Sequence, residues 1–255
     1  MASGEAIILG SGTSNGVPML GVHYSPEFLA NPKNHRMRSS CLLKGPKGNF
    51  LIDCGPEMRL QLVREDIFSV HEVLITHTHA DHVMGMDDLR SICMVEGREL
   101  SIYTLPRYQQ DIRRIFPYAF GAVPDGVIVP RFDLRDAPEV LESCGLSIQI
   151  FEVQHGSVPC LGVRVNNFAY ITDVNFISEN VKSQLQNLDT LVIDAVRHEP
   201  HPNHFHFEAT LAVIEEMKPK MAYLTHLSHE YDHNTFEDSL PPNVRLAFDG
   251  LSIHF

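Results

Sequence analysis

The sequence is short of positive charge: 20 lysines and arginines stand against 32 aspartates and glutamates, a formal net charge of −12. So acidic a chain makes a poor partner for a nucleic-acid backbone, whose binding rests on neutralising phosphates with Lys and Arg. Long apolar runs are also missing. None approaches a signal peptide or a membrane span, and the first apolar strand, Ala6-Ile7-Ile8-Leu9, begins almost at once, which predicts an unexported protein that does not enter the bilayer. No C-x-x-C pair occurs among the five cysteines, Cys41, Cys54, Cys93, Cys144 and Cys160. Odd in number and scattered, they exclude a disulfide framework and read as reduced, mostly buried thiols of a cytoplasmic protein. Neither an internal repeat nor a low-complexity linker divides the chain, and 255 residues at 44% hydrophobic suit one domain, 1–255.

What the chain does have is histidine in chemically pointed places. Four metal-ligand side chains crowd into His77-Thr78-His79-Ala80-Asp81-His82, directly behind the apolar strand Val73-Leu74-Ile75. Two imidazoles separated by one residue can converge on one cation, and the carboxylate and imidazole that follow can serve a second beside it. That is the layout of a two-metal hydrolytic site. The strand-then-ligand pattern recurs in Phe151-Glu152-Val153-Gln154-His155, in Ala169-Tyr170-Ile171-Thr172-Asp173 and in Ala222-Tyr223-Leu224-Thr225-His226, with Leu51-Ile52-Asp53-Cys54-Gly55 upstream.

Apolar runs between turn signals predict further strands at Ser40–Leu43, Phe50–Ile52, Leu146–Val153, Leu161–Val165, Phe168–Ile171, Leu191–Ile193, Val244–Ala247 and Leu251–Ile253. Helices are expected over Pro56–Arg64, Asp87–Met94, Pro106–Ile115 and Phe207–Met217. In the last, Phe207, Leu211, Ile214 and Met217 recur at helical spacing and should face a sheet. The stretch from Tyr118 to Glu142 has no clear periodicity. Two strand-rich halves with helices outside make an α/β fold of αββα layering.

This ordered ligand series resembles the metallo-β-lactamase superfamily over nearly the whole chain, which implies its four-layer αββα sandwich. The resemblance further implies one divalent ion held by His77, His79 and His155, a second by Asp81, His82 and His226, and Asp173 as the bridging carboxylate. Imidazole-rich sites with a bridging carboxylate take zinc or manganese, and also iron. Asp53 matches an aspartate that supports the metal histidines by orienting their rings rather than by ligating; an aspartate opening the turn before Gly55 is the alternative reading.

The segment Pro202-Asn203-His204-Phe205-His206-Phe207-Glu208 narrows the resemblance to the phosphodiesterase branch, which includes RNase Z and a cyclic-phosphate diesterase of phosphonate degradation. There a histidine matching His204 donates a proton to the leaving oxygen, which an alkoxide needs and an imidazole can supply at neutral pH. Asp81 would both ligate and hydrogen-bond this histidine, while His206 is expected to cap the following helix, a role that is also the alternative reading of His204. The Gly-rich opening Leu9-Gly10-Ser11-Gly12-Thr13-Ser14-Asn15-Gly16-Val17-Pro18 resembles the cyclic-phosphate group, as does Arg36-Met37-Arg38-Ser39-Ser40. Such turns allow close backbone approach to an anion. Arg38, Ser39 and Ser40 are then phosphate donors, or simply a turn with a solvated arginine.

One departure stands out. Some members of that group hold a structural zinc through three cysteines and a histidine, whereas Val22, Tyr24 and Glu27 occupy the cysteine places here and only His229 matches, too little for a tetrahedral site. His229-Glu230-Tyr231-Asp232-His233 formally satisfies the H-E-x-x-H signature, but it lacks the helical apolar stripe that zincin chemistry needs. His198 and His201 are assigned to surface or packing. The function implied is metal-dependent hydrolysis of a small phosphodiester such as a ribosyl or nucleoside cyclic phosphate, by metal-activated hydroxide with His204 as general acid. RNase Z-like processing, thiolester hydrolysis and a non-catalytic metal sensor are the alternatives. Relatives often pair, so a homodimer is expected.

Overall fold

Both faces of the first strand are buried, and its alternate residues go to different cores: Ala6 and Ile8 to one, Ile7 and Leu9 to another. Such continuous apolar runs belong to strands covered on both sides. The computed structural model, which describes residues 3–122 and 125–255, repeats the pattern through two sheets. Numbered in chain order, the first sheet comprises β1 (Glu5–Gly10), β2 (Ser40–Gly45), β3 (Gly48–Ile52), β4 (Glu72–Leu74), β5 (Leu100–Thr104), β6 (Phe132–Asp136) and β14 (Leu251–His254). The second contains β7 (Val140–Ser143), β8 (Leu146–His155), β9 (Val158–Val165), β10 (Phe168–Ile171), β11 (Thr190–Asp194), β12 (Met221–Thr225) and β13 (Val244–Leu246). Their spatial orders are β14-β1-β2-β3-β4-β5-β6 and β13-β12-β11-β10-β9-β8-β7.

Between the sheets lie Ile8, Leu43, Phe50 and Ile52 from one side and Ile148, Val163, Tyr170 and Val192 from the other. The outer face of the first sheet is covered by α2 (Met58–Arg64), α4 (Arg90–Glu96) and α5 (Pro106–Ile115), through Met58, Leu62, Cys93 and Ile112. That of the second is covered by α6 (Glu179–Gln184) and α7 (Phe207–Met217), through Val181, Val213, Ile214 and Met217. The result is the four-layer αββα sandwich. Among the described residues no helix is long and apolar enough to cross a membrane.

The expected elements are present with small shifts, and α5, α7 and β10 keep the anticipated limits. Where a helix was expected at Asp87–Met94, a 3-10 turn over Met86–Leu89 leads into α4, which ends at Gly97 in a left-handed conformation. The strands β5, β6 and β7 and the short helices α1 (Pro26–Ala30), α3 (Ala80–Val83) and α6 were not anticipated. Strand β6 and the start of β7 fall within the aperiodic Tyr118–Glu142 stretch, of which Val123 and Pro124 lie outside the described residues.

Candidate metal centre and cleft

Strands β3 to β6 run parallel, as do β10 to β13. Their carboxyl ends open on one side of the sandwich, the place where open α/β sheets bind ligands. Asp53 follows β3, His77 lies just beyond β4, His155 ends β8, Asp173 follows β10, Asp194 ends β11 and His226 follows β12. Three of these, Asp53, Asp173 and His226, have φ of 64°, 49° and 58°. Left-handed backbone at non-glycine residues is uncommon and gathers where a side chain must be aimed.

Two ligand sets share one carboxylate. His77, His79, His155 and Asp173 form one, Asp81, His82, Asp173 and His226 the other, each with donor atoms within 4.8 Å of one another. In the first, His79 Nδ1 lies 2.8 Å from His77 Nε2 and 3.3 Å from His155 Nε2. Asp173 Oδ2 stands 3.8 Å from His77 Nε2 and 3.9 Å from His155 Nε2. Its other oxygen, Oδ1, lies 3.3 Å from His82 Nε2 and 3.3 Å from His226 Nδ1. Asp81 Oδ2 lies 3.3 Å from His82 Nε2.

The donor set fits divalent ions. His82 Nε2 is buried without a hydrogen-bond partner, an expensive state for an imidazole unless something else occupies its lone pair. Its Nδ1 is turned to Asp53 Oδ2 at 2.7 Å, and Asp53 is held in turn by the Thr76 backbone N–H at 2.8 Å. His155 Nδ1 donates to the Asn203 carbonyl at 2.7 Å. Pinning the outer nitrogen presents the inner one as a ligand. Burial pushes His77, His79 and His155 below the ordinary histidine value, which favours the neutral, ligating form. Burial would push His82 down as well, yet Asp173, Asp81 and Asp53 raise it well above that value. The pocket thus demands positive charge, which divalent cations supply.

His204 stands at the open side of the pair. Its Nε2 is 4.0 Å from Asp173 Oδ2, and its Nδ1 is 2.7 Å from Asp194 Oδ2. Burial opposes the charged form, but the Asp194 charge and hydrogen bond prevail and raise His204 to about 9. The expected hydrogen bond to Asp81 is therefore corrected: the partner is Asp194, fully buried at the end of β11. The sequence reading missed Asp194, although an aspartate ending the apolar run Leu191-Val192-Ile193 repeats the strand-then-ligand pattern.

The cleft, of about 380 Å³, is lined by Thr13 to Gly16 and Met19 on one side and by Val196, Arg197, His201 and Asn203 with His229 and Glu230 on the other. Arg38, Ser39 and Ser40, expected as phosphate donors, are absent from this lining. Ser39 Oγ donates to the Gly12 carbonyl and is hydrogen-bonded to His226 Nδ1 at 2.9 Å, so it braces a metal-site ring. Ser40 Oγ donates to the carbonyls of Ile52 and Asp53. Arg38 is taken up by Glu57 and the Ser14 carbonyl. Conversely, His201, assigned to surface or packing, lines the cleft. His206 sits at the N-cap of α7 but makes no side-chain cap.

No helix forms over His229–His233. Around the places where some relatives carry cysteines, Tyr24 stacks on Phe28 and meets His229 edge-on, and its hydroxyl accepts from Met19 N at 2.7 Å. Among the described residues no metal-ligand cluster forms there.

The chain matches the Beta-lactamase superfamily domain over residues 48–227. A crystal structure of a new diphosphatase from the PhnP family superposes with a TM-score of 0.90 at 31% identity, covering 99% of this chain and 97% of that one. In sequence, an octanoyltransferase of Porphyromonas gingivalis is 33% identical over 97% of this chain and 51% of its own length. A ribonuclease Z of Methanococcus aeolicus is 27% identical over 61% of this chain and 46% of its own. The chain spans about half the length of these curated relatives. It belongs to the beta-lactamase superfamily of metal-dependent hydrolases, in the part that holds the PhnP family.

Proposed function

We propose that the protein is a two-metal phosphodiester hydrolase acting on small substrates such as ribosyl or nucleoside cyclic phosphates. The observation that carries this reading is His204, held by buried Asp194 and facing the carboxylate shared by both ligand sets. Divalent ions, manganese or zinc in this proposal, supply Lewis acidity and charge neutralisation to phosphoryl transfer when bound. His77, His79, His155 and Asp173 would hold one, and Asp81, His82, Asp173 and His226 the other.

The chain's own contribution is proton management. An alkoxide leaves a phosphodiester poorly unless protonated, whereas a thiolate leaves a thiolester without help. An imidazole raised to about 9 keeps its proton at neutral pH and can deliver it from Nε2 as the P–O bond breaks. That favours a diester over a thiolester. A cleft of about 380 Å³ admits a nucleotide-sized ligand, and the net charge of −12 opposes a long RNA. The ribonuclease Z relationship keeps precursor transfer RNA as the second reading. The octanoyltransferase name belongs to a chain about twice as long and makes an octanoyl thiolester the natural control.

The test is a screen of protein loaded with manganese or zinc against bis-p-nitrophenyl phosphate, 2′,3′-cyclic nucleotides, a ribosyl cyclic phosphate, precursor transfer RNA and the thiolester, with wild type beside His204→Ala. Cyclic diester turnover that collapses in the variant is expected. Thiolester turnover indifferent to His204 would sink the proposal.

A further inference from the structure

His201 lies in the cleft wall beside His204, ring centroids 4.9 Å apart, and its two nitrogens have different surroundings. Nδ1 accepts a hydrogen bond from the Asn203 backbone N–H at 3.1 Å. An amide N–H can only donate, so Nδ1 carries no proton there, and the neutral ring must hold its hydrogen on Nε2. Nε2 has no protein partner among the described residues. Burial favours this neutral form by lowering the ring below its ordinary value.

The loop is braced to keep that donor in place. Pro200 and Pro202 flank His201 and fix φ on either side. Arg197 donates to the carbonyls of Glu199 and Pro200, Asn175 Nδ2 donates to that of Pro202, and His155 Nδ1 to that of Asn203. The cleft therefore presents two adjacent imidazoles of different kinds: His204, kept protonated by Asp194, and His201, a neutral ring of fixed tautomer. A neutral N–H is a weak acid but a good hydrogen-bond donor to an oxyanion, and a donor fixed in advance costs no reorganisation during reaction.

We infer that His201 donates from Nε2 to a non-bridging phosphoryl oxygen of the substrate, binding the charge that develops there while His204 protonates the leaving oxygen. This rests on the diesterase reading above. It also assigns His201 a different signature from its neighbour. Losing it should slow good and poor leaving groups alike, because the phosphoryl oxygens are common to both.

Two substitutions separate this role from simple loop bracing. In His201→Asn the side-chain oxygen can still accept from Asn203 N but the outer donor is gone. In His201→Gln the amide nitrogen reaches the position of Nε2. We expect His201→Asn to lower kcat/KM on bis-p-nitrophenyl phosphate by about 100-fold, the lower end of the range for one lost oxyanion donor. The loss should be equal on an alkyl-leaving diester, with metal content unchanged and inhibition by inorganic phosphate weakened. His201→Gln should restore most of the activity. Wild-type rates in His201→Asn, or a loss confined to poor leaving groups, would overturn the assignment. A wild type that turns over no diester overturns the diesterase reading, and this role with it.

Discussion

His204 Nδ1 lies 2.7 Å from Asp194 Oδ2, and that carboxylate's second contact is the backbone N–H of Val174 at 3.0 Å. One buried aspartate thus joins the candidate acid to the residue that follows Asp173, the carboxylate common to both ligand sets. Because burial alone would lower His204, its rise to about 9 depends on this neighbour.

Replacing Asp194 by Asn tests the dependence through pH. An acid works only while protonated, so wild-type kcat on an alkyl-leaving diester should hold from neutral pH towards 9 and fall above it; bound cations would draw that limb somewhat lower. In Asp194→Asn only Asp173 and Asp81 still oppose burial, and the limb should move down towards the ordinary histidine value of about 6.5, which makes the rate at pH 8 about 30-fold lower. A limb that stays in place would show that Asp194 does not set the proton affinity of His204.

The leaving group reads the same chemistry from the other side. p-Nitrophenolate departs without a proton and a sugar alkoxide does not. His204→Ala should therefore cost roughly 100- to 1,000-fold on a cyclic nucleotide but less than about tenfold on bis-p-nitrophenyl phosphate. Equal losses on the two would argue that His204 binds substrate rather than protonating it.

Asp53 offers a test of the metal site that needs no turnover. Its Oδ1 accepts from the Thr76 N–H, both oxygens lie within reach of the Thr76 hydroxyl, and Oδ2 holds His82 Nδ1. Without it the His82 ring loses its orienting partner, and affinity at the second ligand set should fall about 10- to 100-fold. Elemental analysis after dialysis should show the metal count of Asp53→Ala dropping from two per chain towards one. Two tightly held ions in the variant would mean that His82 is fixed by packing alone.

The candidate metal ligands were legible in the sequence because they follow the ends of apolar strands, directly or, for His79, Asp81 and His82, within the next turn, and a strand end in an α/β sheet is a fixed place in space. The site's supporting residues were harder to read. Asp194 ends a strand too, but it binds a histidine rather than a metal, and no spacing announces that. Ser39 and Ser40 were read as phosphate donors from their position after Arg38, yet their hydroxyls turn inward to backbone carbonyls and His226. Side-chain direction in a bulged segment cannot be counted off: the β1 to β2 register slips between Ile8 and Gly10, opposite Cys41 and Ser40. His201 was passed over because its value lies in a tautomer set by a backbone amide two residues on. Likewise β5 and β6 join the sheet through parallel partners distant in sequence, so local pattern gave them little signal.

Gly85 ties the fold's stability to the metal site. Its backbone lies in an ordinary right-handed conformation, φ −88° and ψ −4°, so alanine there meets no torsional penalty. An added Cβ would instead fall 2.0 Å from the Gly55 carbonyl oxygen. The two segments are laced together, Gly85 N donating to the Cys54 carbonyl and Cys54 N to that of His82, each at 2.8 Å. Gly85→Ala must push the Asp53–Gly55 turn away from the Asp81–His82 segment, at a cost of about 1–3 kcal/mol for overpacking. At about 2–4 °C per kcal/mol for a chain of this size, Tm should fall by roughly 2–12 °C. The same displacement parts Asp53 from His82, so metal affinity should weaken together with stability. Calorimetry with and without added metal would show both, as a lower Tm and a smaller metal-induced rise; an unchanged Tm would mean that the contact relaxes without moving the turn.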